Sequence, residues 1–130
     1  MKRDIKKEQF ERLVEKTYKI LKKHKGRENA IDMGELYYKV FEKQYKDKIT
    51  DTRYLRKVIT ELRKKGYPVL ASMTGGKTGY YIANSAEEIN EFIQLMEKRA
   101  LKSLSLISKI KRISLPVYLG QLYLQLRNSI

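Results

Sequence analysis

The spacing of the apolar residues changes in the middle of residues 50–83, and this change restricts the possible folds more than any other feature. Four apolar residues in the first half follow the i, i+3, i+4, i+7 spacing of an amphipathic helix: Leu55, Val58, Ile59 and Leu62. Residues 64–66, Lys-Lys-Gly, are typical of a helix C-terminus. Residues 68–72 and 79–83 then predict two strands joined by a turn. The chain must therefore place a helix beside a β-hairpin.

Two helices are predicted before this stretch. Apolar side chains at helical spacing predict the first over residues 8–24. Asp32 and Glu35 have the spacing of a capping box, which predicts a short second helix over residues 33–41.

The same capping chemistry predicts where the later helices begin. Thr50 or Asp51 is expected to cap the third helix, because either side chain can accept a hydrogen bond from a free backbone amide. Ser85 and Glu88 form a second capping box, which opens a long fourth helix that runs to about Arg112.

The last part of the chain differs in composition. Residues 113–130 contain a single charge and many Leu, Ile and Tyr residues, and Pro116 and Gly120 are expected to interrupt any helix there. We therefore expect two parts, with residues 1–84 as the main domain and residues 85–130 as a long helix with an apolar tail.

The charge balance points to a polyanionic partner. Lys and Arg number 29 against 15 Asp and Glu, a formal net charge of +14. Such a surplus attracts nucleic acid or an anionic membrane surface. A surface rich in Lys–Glu pairs, as in thermophiles, would explain many charges but not the large surplus of one sign.

The composition gives no sign of a catalytic or metal centre. The chain has no cysteine and one histidine, His24, which lies in a lysine-rich run. A thiolate zinc site is therefore ruled out, and no grouping of Ser, His and Asp suggests nucleophilic catalysis. We expect no enzyme activity, no cofactor and no metal.

Residues 75–78, Gly-Gly-Lys-Thr, resemble the end of a phosphate-binding P-loop. The first glycine of that motif would fall at Ala71, and residues 79–83 predict a strand where the P-loop requires a helix. We therefore interpret the segment as a hairpin tip, in which glycines permit positive φ and Lys77 supplies a positive charge.

The order of three helices, a β-hairpin with a basic glycine-rich tip and a further helix resembles the winged helix-turn-helix family of DNA-binding domains. The resemblance covers roughly residues 8–83 and is carried mainly by TDTRYLRKVITELRKKGYPVLASMTGGKTGYYIA at residues 50–83. It implies an α+β, mostly helical fold, in which a winged helix of three helices and a hairpin wing precedes the long helix and the apolar tail.

The resemblance also implies which residues contact DNA. In this family the third helix enters the major groove and the wing approaches the backbone or minor groove. Carried over to this chain, the DNA-binding candidates are Thr52, Arg53, Arg56, Lys57, Lys77 and Thr78. Arg53 and Arg56 share a helix face and are expected to bond guanine, while Thr52 and Lys57 are better suited to phosphates or less exacting base contacts.

Two further features bear on DNA binding. Residues 42–49 are longer than the turn of a strict helix-turn-helix, so either the second helix extends to Tyr45 or the turn is looser. At the N-terminus, basic side chains are available for phosphate contacts: Lys2, Arg3, Lys6 and Lys7.

Residues 85–130 are expected to form a homodimer interface. Five residues come close to a seven-residue repeat, which is compatible with a coiled-coil seam: Ile93, Met96, Ala100, Ile107 and Ser114. Residues 98–112 hold six cations and no acid, a pattern that also suits an anionic lipid or an acidic partner.

Together these features predict a cytoplasmic or nucleoid-associated protein that binds double-stranded DNA sequence-specifically, as a transcriptional regulator or a phage- or plasmid-type replication accessory. One alternative is a protein-interaction or architectural module that binds nucleic acid nonspecifically within a nucleoprotein assembly. A peripheral membrane protein that uses residues 98–130 is the weaker alternative, and no membrane partner is expected.

Overall fold

The computed structural model describes residues 2–72 and 78–129, with side chains over residues 6–72 and 78–128. Within these residues the elements are α1 (Lys2–Leu21), a 3₁₀ turn (Arg27–Asn29), α2 (Met33–Phe41), α3 (Arg53–Lys64), β1 (Val69–Ser72), β2 (Gly79–Ile82), α4 (Ala86–Lys111) and α5 (Leu115–Ser129). The predicted coarse fold class, α+β and mostly helical with a β-hairpin, is confirmed.

The chain divides into two compact units, Met1–Phe92 and Ile93–Ile130. The division falls inside α4, whereas the sequence suggested one at residue 84. The first turns of α4 therefore belong to the first unit.

The first unit has a core formed by α1, α2, α3 and the hairpin. The apolar stripe predicted on α3 is buried along its whole length, at 0–2% exposure. It packs with side chains from the other elements, chiefly Val14, Leu21, Ile31, Leu36, Val40, Val69 and Ile82. Tyr80 and Tyr81 are both buried, in two different apolar clusters, because successive residues of a strand point to opposite faces. Their rings therefore stabilise the core.

Strand β2 joins the hairpin to the helices. It pairs antiparallel with β1, from Val69 opposite Ile82 to Ser72 opposite Gly79. On its other edge, Ile31 and Tyr80 exchange backbone hydrogen bonds of 2.8 and 2.9 Å, and Lys25 forms a second isolated bridge with Ile82. The segment before α2 is thus hydrogen-bonded to the hairpin.

The helix starts follow the predicted capping chemistry in part. Helix α2 has the predicted bounds, and Asp32 Oδ2 accepts the hydrogen bond of the Gly34 amide at 2.9 Å. Glu35, however, pairs with Lys39 at 3.4 Å, so only one half of that capping box is formed. Helix α1 begins six residues earlier than predicted, because lysine, arginine and glutamate extend a helix without contributing apolar periodicity.

The capping box at α4 is formed and also bonds to the 3₁₀ turn. Ser85 Oγ accepts a hydrogen bond from the Glu88 amide at 3.2 Å, as predicted. The Glu88 carboxylate accepts hydrogen bonds from the backbone amides of Asn84 and Arg27, at 2.7 and 2.8 Å. Glu91 adds a 2.7 Å ion pair with Arg27. The start of α4 is therefore fixed by both local and distant contacts.

The prediction that Pro116 and Gly120 interrupt the tail is wrong, because α5 contains both residues. Pro116 is the second residue of α5, where the missing amide hydrogen breaks no intrahelical bond. Ser114 Oγ accepts the Val117 amide at 3.4 Å at the start of the helix. Arg112 adopts a left-handed conformation, with φ of 59°, between α4 and α5.

Substituting Gly120 with alanine is expected to increase the stability of α5. A Cβ at this position would meet no atom within 4 Å, so only the backbone preference changes. Alanine is favoured over glycine in a helix interior by about 0.8–1 kcal/mol. Circular dichroism should show equal or higher helical content and a higher melting temperature for this unit. Lower helical content would contradict the helix through Gly120.

Candidate nucleic-acid interface

Residues 42–52 form a hydrogen-bonded turn between α2 and α3. Glu42 ends α2 in a left-handed conformation, with φ of 58°, so the second helix does not extend to Tyr45. Asp47 Oδ1 accepts hydrogen bonds from the Ile49 and Thr50 amides, at 2.9 and 3.3 Å. Of the two alternatives, the longer, looser turn is the correct one.

The predicted cap of α3 is wrong. Thr52 stands at the N-cap position without a side-chain capping bond. The Asp51 carboxylate instead accepts hydrogen bonds from the backbone amides of Lys46 and Asp47, at 2.7 and 3.0 Å. Asp51 therefore holds the turn against the start of α3.

These two amide hydrogen bonds, first Asp47 and then Lys46, lower the pKa of Asp51 below its ordinary value. Because the folded pKa is depressed, the carboxylate stabilises the turn above the unfolded pKa and loses this effect as the pH falls through the folded pKa. We expect an Asp51→Asn variant to be less stable than the wild type at neutral pH, with the difference shrinking in acid. Thermal melts of both proteins from neutral to acidic pH test this, and a pH-independent difference would contradict it.

Thr52 does not offer its side chain to a ligand. It is 2% exposed, and its hydroxyl donates to the backbone carbonyl of Lys48. The expectation that Thr52 contacts DNA is therefore corrected: its side chain stabilises the turn before α3.

The three cations predicted on α3 are exposed but differ in their surroundings. Arg56 Nη2 donates to the Ile49 carbonyl oxygen at 2.8 Å, so part of its guanidinium is used to hold the turn. Arg53 and Lys57 lie four residues apart and therefore on the same side of the helix. The Lys57 ammonium lies 5.3 Å from the centre of the Phe10 ring on α1.

The ends of α1 and α3 together form a basic cleft. It has a volume of about 500 Å³ and is lined by Lys6, Lys7, Gln9, Phe10, Tyr54 and Lys57. Tyr54 is 40% exposed and makes edge-on contacts with Phe10 and Phe41, at 5.9 and 5.7 Å between ring centres. We call Lys6, Lys7, Arg53 and Lys57 the α1/α3 basic surface. The structure brings Lys6, Lys7 and Lys57 together at one cleft, and Arg53 lies one helical turn before Lys57 on the same side of α3.

The structure describes only one of the two DNA-binding candidates in the hairpin. Thr78 is exposed and lines a second cleft, of about 490 Å³, together with Lys48, Ser72 and Tyr45. Lys77 lies outside the described residues. The side chains of Lys2 and Arg3 also lie outside them.

Sequence reasoning missed two residues on the exposed side of α3. Thr60 and Lys64 follow Lys57 at spacings of three and seven residues and are exposed. The helical repeat that identified the buried stripe could have identified this face as well. Its continuation makes the exposed side of α3 basic at both ends.

Arg63, also on α3, makes contacts with neighbouring elements of the first unit. Its Nε donates to the Val69 carbonyl at 2.8 Å, and its guanidinium lies 5.2 Å from the centre of the Phe92 ring. Partial burial lowers the pKa of Arg63, which nevertheless stays charged at neutral pH. Arg63 therefore connects α3, β1 and the start of α4.

Two other kinds of feature are absent from the described part of the chain. No group of three or more His, Asp or Glu side chains there is arranged to hold a metal ion. No helix there has the length and apolar character that crossing a membrane requires.

The first unit is thus an α+β domain with a basic face built from α1 and α3. Comparisons with protein-family models, curated proteins and solved structures found no match to this chain.

Proposed function

We propose that this chain is a winged-helix protein that binds double-stranded DNA through α3 and the α1/α3 basic surface. In this proposal it acts as a transcriptional regulator or a replication accessory protein and not as an enzyme. The observation that carries the proposal is the clustering of Lys6, Lys7 and Lys57 at one cleft, with Arg53 one helical turn before Lys57 on the exposed side of α3.

The order and pairing of the elements support the winged-helix assignment. Three helices precede a two-stranded antiparallel hairpin, and the segment between α1 and α2 bonds to β2 through Ile31 and Tyr80. This pairing fixes the hairpin to the helices, with β1 following directly after α3. The end of α3 and the hairpin are therefore held together in one compact unit.

The chemistry of the basic surface supports a phosphate-rich ligand. Lysine and arginine at this surface would displace counterions from DNA, and that release gives affinity that depends strongly on salt. Because α1 and α3 are packed on a common core, their cations are held at set positions relative to one another. A duplex would meet cations from two helices, so backbone contacts on α1 would orient α3 in a groove.

The bond between Arg56 and Ile49 favours the second candidate function, nonspecific binding in a nucleoprotein assembly. A bidentate contact with guanine needs two donors of one guanidinium in a suitable orientation. Arg56 already uses one nitrogen for the Ile49 carbonyl, which leaves Arg53 as the better placed arginine for base contacts. With fewer arginines able to reach base edges, phosphate contacts would supply a larger share of the affinity.

Selection from a randomised duplex library at near-physiological salt tests the proposal and separates the two candidates. Enrichment of one motif would support sequence-specific recognition, and retention without enrichment would support nonspecific binding. Anisotropy titrations with labelled duplex and single strand should show preference for the duplex, with log affinity falling linearly as log salt rises. The absence of salt-dependent binding to either would refute nucleic-acid binding.

A further inference from the structure

The second unit exposes apolar side chains of α4, several of them along one line of the helix and three elsewhere on it (Leu95, Leu101 and Leu106). Among the described side chains of this unit, only Ser108 is buried. Leu104, Ser105, Ile113 and four residues of α5 are half-buried. By contrast, Ile93, Met96, Ile107 and Ile110 are 45%, 45%, 37% and 81% exposed.

These exposed residues follow the spacing of a coiled coil. Along one line of α4, successive residues are alternately three and four positions apart. We call this line the α4 seam: Ile93, Met96, Ala100, Ser103, Ile107 and Ile110. A seven-residue apolar repeat is typical of helices that supercoil around each other. The supercoil keeps the repeated residues of one helix in contact with the partner helix along its length. Ala100 and Ser103 are small and stand at the middle of the seam, which lets two helices approach closely there.

Three of the cations of α4 lie away from the seam, whereas Arg99 and Lys111 flank it. Lys98, Lys102 and Lys109 are on the opposite side of the helix and exposed. A partner helix on the seam would therefore leave these ammonium groups in water. Their repulsion between two copies would act at long range and be screened by salt.

We propose that the α4 seam is the contact surface for a second copy of this chain. We expect a second copy because its α4 helix has the same seven-residue apolar repeat. Its side chains would fit as knobs into the holes between the side chains of the first copy. The proposal narrows the expected interface, residues 85–130, to residues 93–110. The first turns of α4 are excluded because Glu88 and Glu91 already bond to Arg27 and Phe92 contacts Arg63.

The chain has no cysteine, so a single introduced cysteine can form a disulfide only with the same cysteine of a second copy. Ala100→Cys lies at the centre of the seam, so its two copies come close in either a parallel or an antiparallel pair. Lys102→Cys, two residues away on the opposite side, is the matched control. Under mild oxidation without DNA, the first variant should form a disulfide-linked dimer at least tenfold faster. Equal rates for the two variants would overturn the proposal.

Light scattering measures the same contact without cross-linking. At micromolar concentration the wild type should have twice the 15.4 kDa chain mass. Ile107→Asp should be monomeric, whereas Gln94→Asp, which makes the same charge change off the seam, should remain dimeric. A monomeric wild type or a dimeric Ile107→Asp variant would overturn the proposal. An unchanged melting transition of the first unit shows that the domain is still folded.

The salt dependence of binding distinguishes dimerisation from binding to an anionic partner. Dimerisation through the seam should be unchanged or stronger at high salt, because salt screens repulsion between like-charged copies. Binding of a monomer to phosphatidylserine vesicles that is lost at high salt and lost in Ile107→Asp would overturn the proposal in favour of an anionic surface. All these measurements omit DNA, so they stand whether or not the proposed function fails.

Discussion

A Gly79→Ala substitution is expected to destabilise the first unit by about 3 kcal/mol or more. A Cβ at Gly79 would lie 2.0 Å from the Ile31 carbonyl oxygen and 2.6 Å from its carbon, and both are backbone atoms. Ile31 cannot move away cheaply, because its amide and carbonyl both bond to Tyr80. The φ of 137° at Gly79 adds to the cost, since residues with a side chain rarely adopt it. The substitution therefore strains the pairing between the hairpin and the segment before α2.

Thermal unfolding measures this effect, with Gly66→Ala as the control. Gly66 has a φ of 92°, but no atom lies within 4 Å of an added Cβ, so only the backbone preference is lost. We expect the control to cost about 1 kcal/mol. A loss of 3 kcal/mol would lower the melting temperature by roughly 12–24 °C in a unit of this size. Equal costs for the two variants would show that the close approach of Gly79 to Ile31 does not limit stability.

The double substitution of Arg53 and Lys57 by glutamine is expected to weaken duplex binding by roughly 30-fold at near-physiological salt. Each lost phosphate contact should reduce the slope of log affinity against log salt by about 0.9. Both side chains are exposed, so the variant should fold normally. Anisotropy titrations at several salt concentrations give the affinity and the slope together.

Lys19→Gln with Lys23→Gln is the matched control, because it removes the same two positive charges. Both residues are exposed, and Lys19 faces away from the buried side of α1 that carries Val14, Thr17 and Leu21. If binding uses the α1/α3 basic surface, the control should lose only a few-fold in affinity. An equal loss in both variants would mean that net charge, and not this surface, supplies the affinity.

Much of the fold could be predicted from the sequence because its signals are local. The apolar stripe on α3 occurs where a helix needs one buried side, and all four of its residues are buried. The start of α2 was predicted from the capping-box spacing of Asp32 and Glu35, and the Asp32 side chain does bond to an amide two residues later. The same local rules were wrong for α5, because a proline near a helix start is tolerated and a single glycine costs too little to end a helix.

The candidate site was less predictable, since it depends on which side chains already form hydrogen bonds with the backbone. Thr52, Arg53 and Arg56 were all DNA-binding candidates because they are polar residues near the start of a helix. The path of residues 42–52 brings the Lys48 and Ile49 carbonyls to Thr52 and Arg56 and leaves Arg53 exposed. The meeting of Lys6 and Lys7 with Lys57 depends in turn on how α1 packs against α3.

The sequence by itself determined α1 to α4, the hairpin strands and the surplus of positive charge, because periodicity, capping and composition act over a few residues. Only the tertiary structure decided that Gly79 must lack a side chain, that Thr52 is buried and that α1 and α3 share one basic surface. Each of these depends on a contact between segments whose approach is set by packing of the whole unit, and no local pattern encodes that approach.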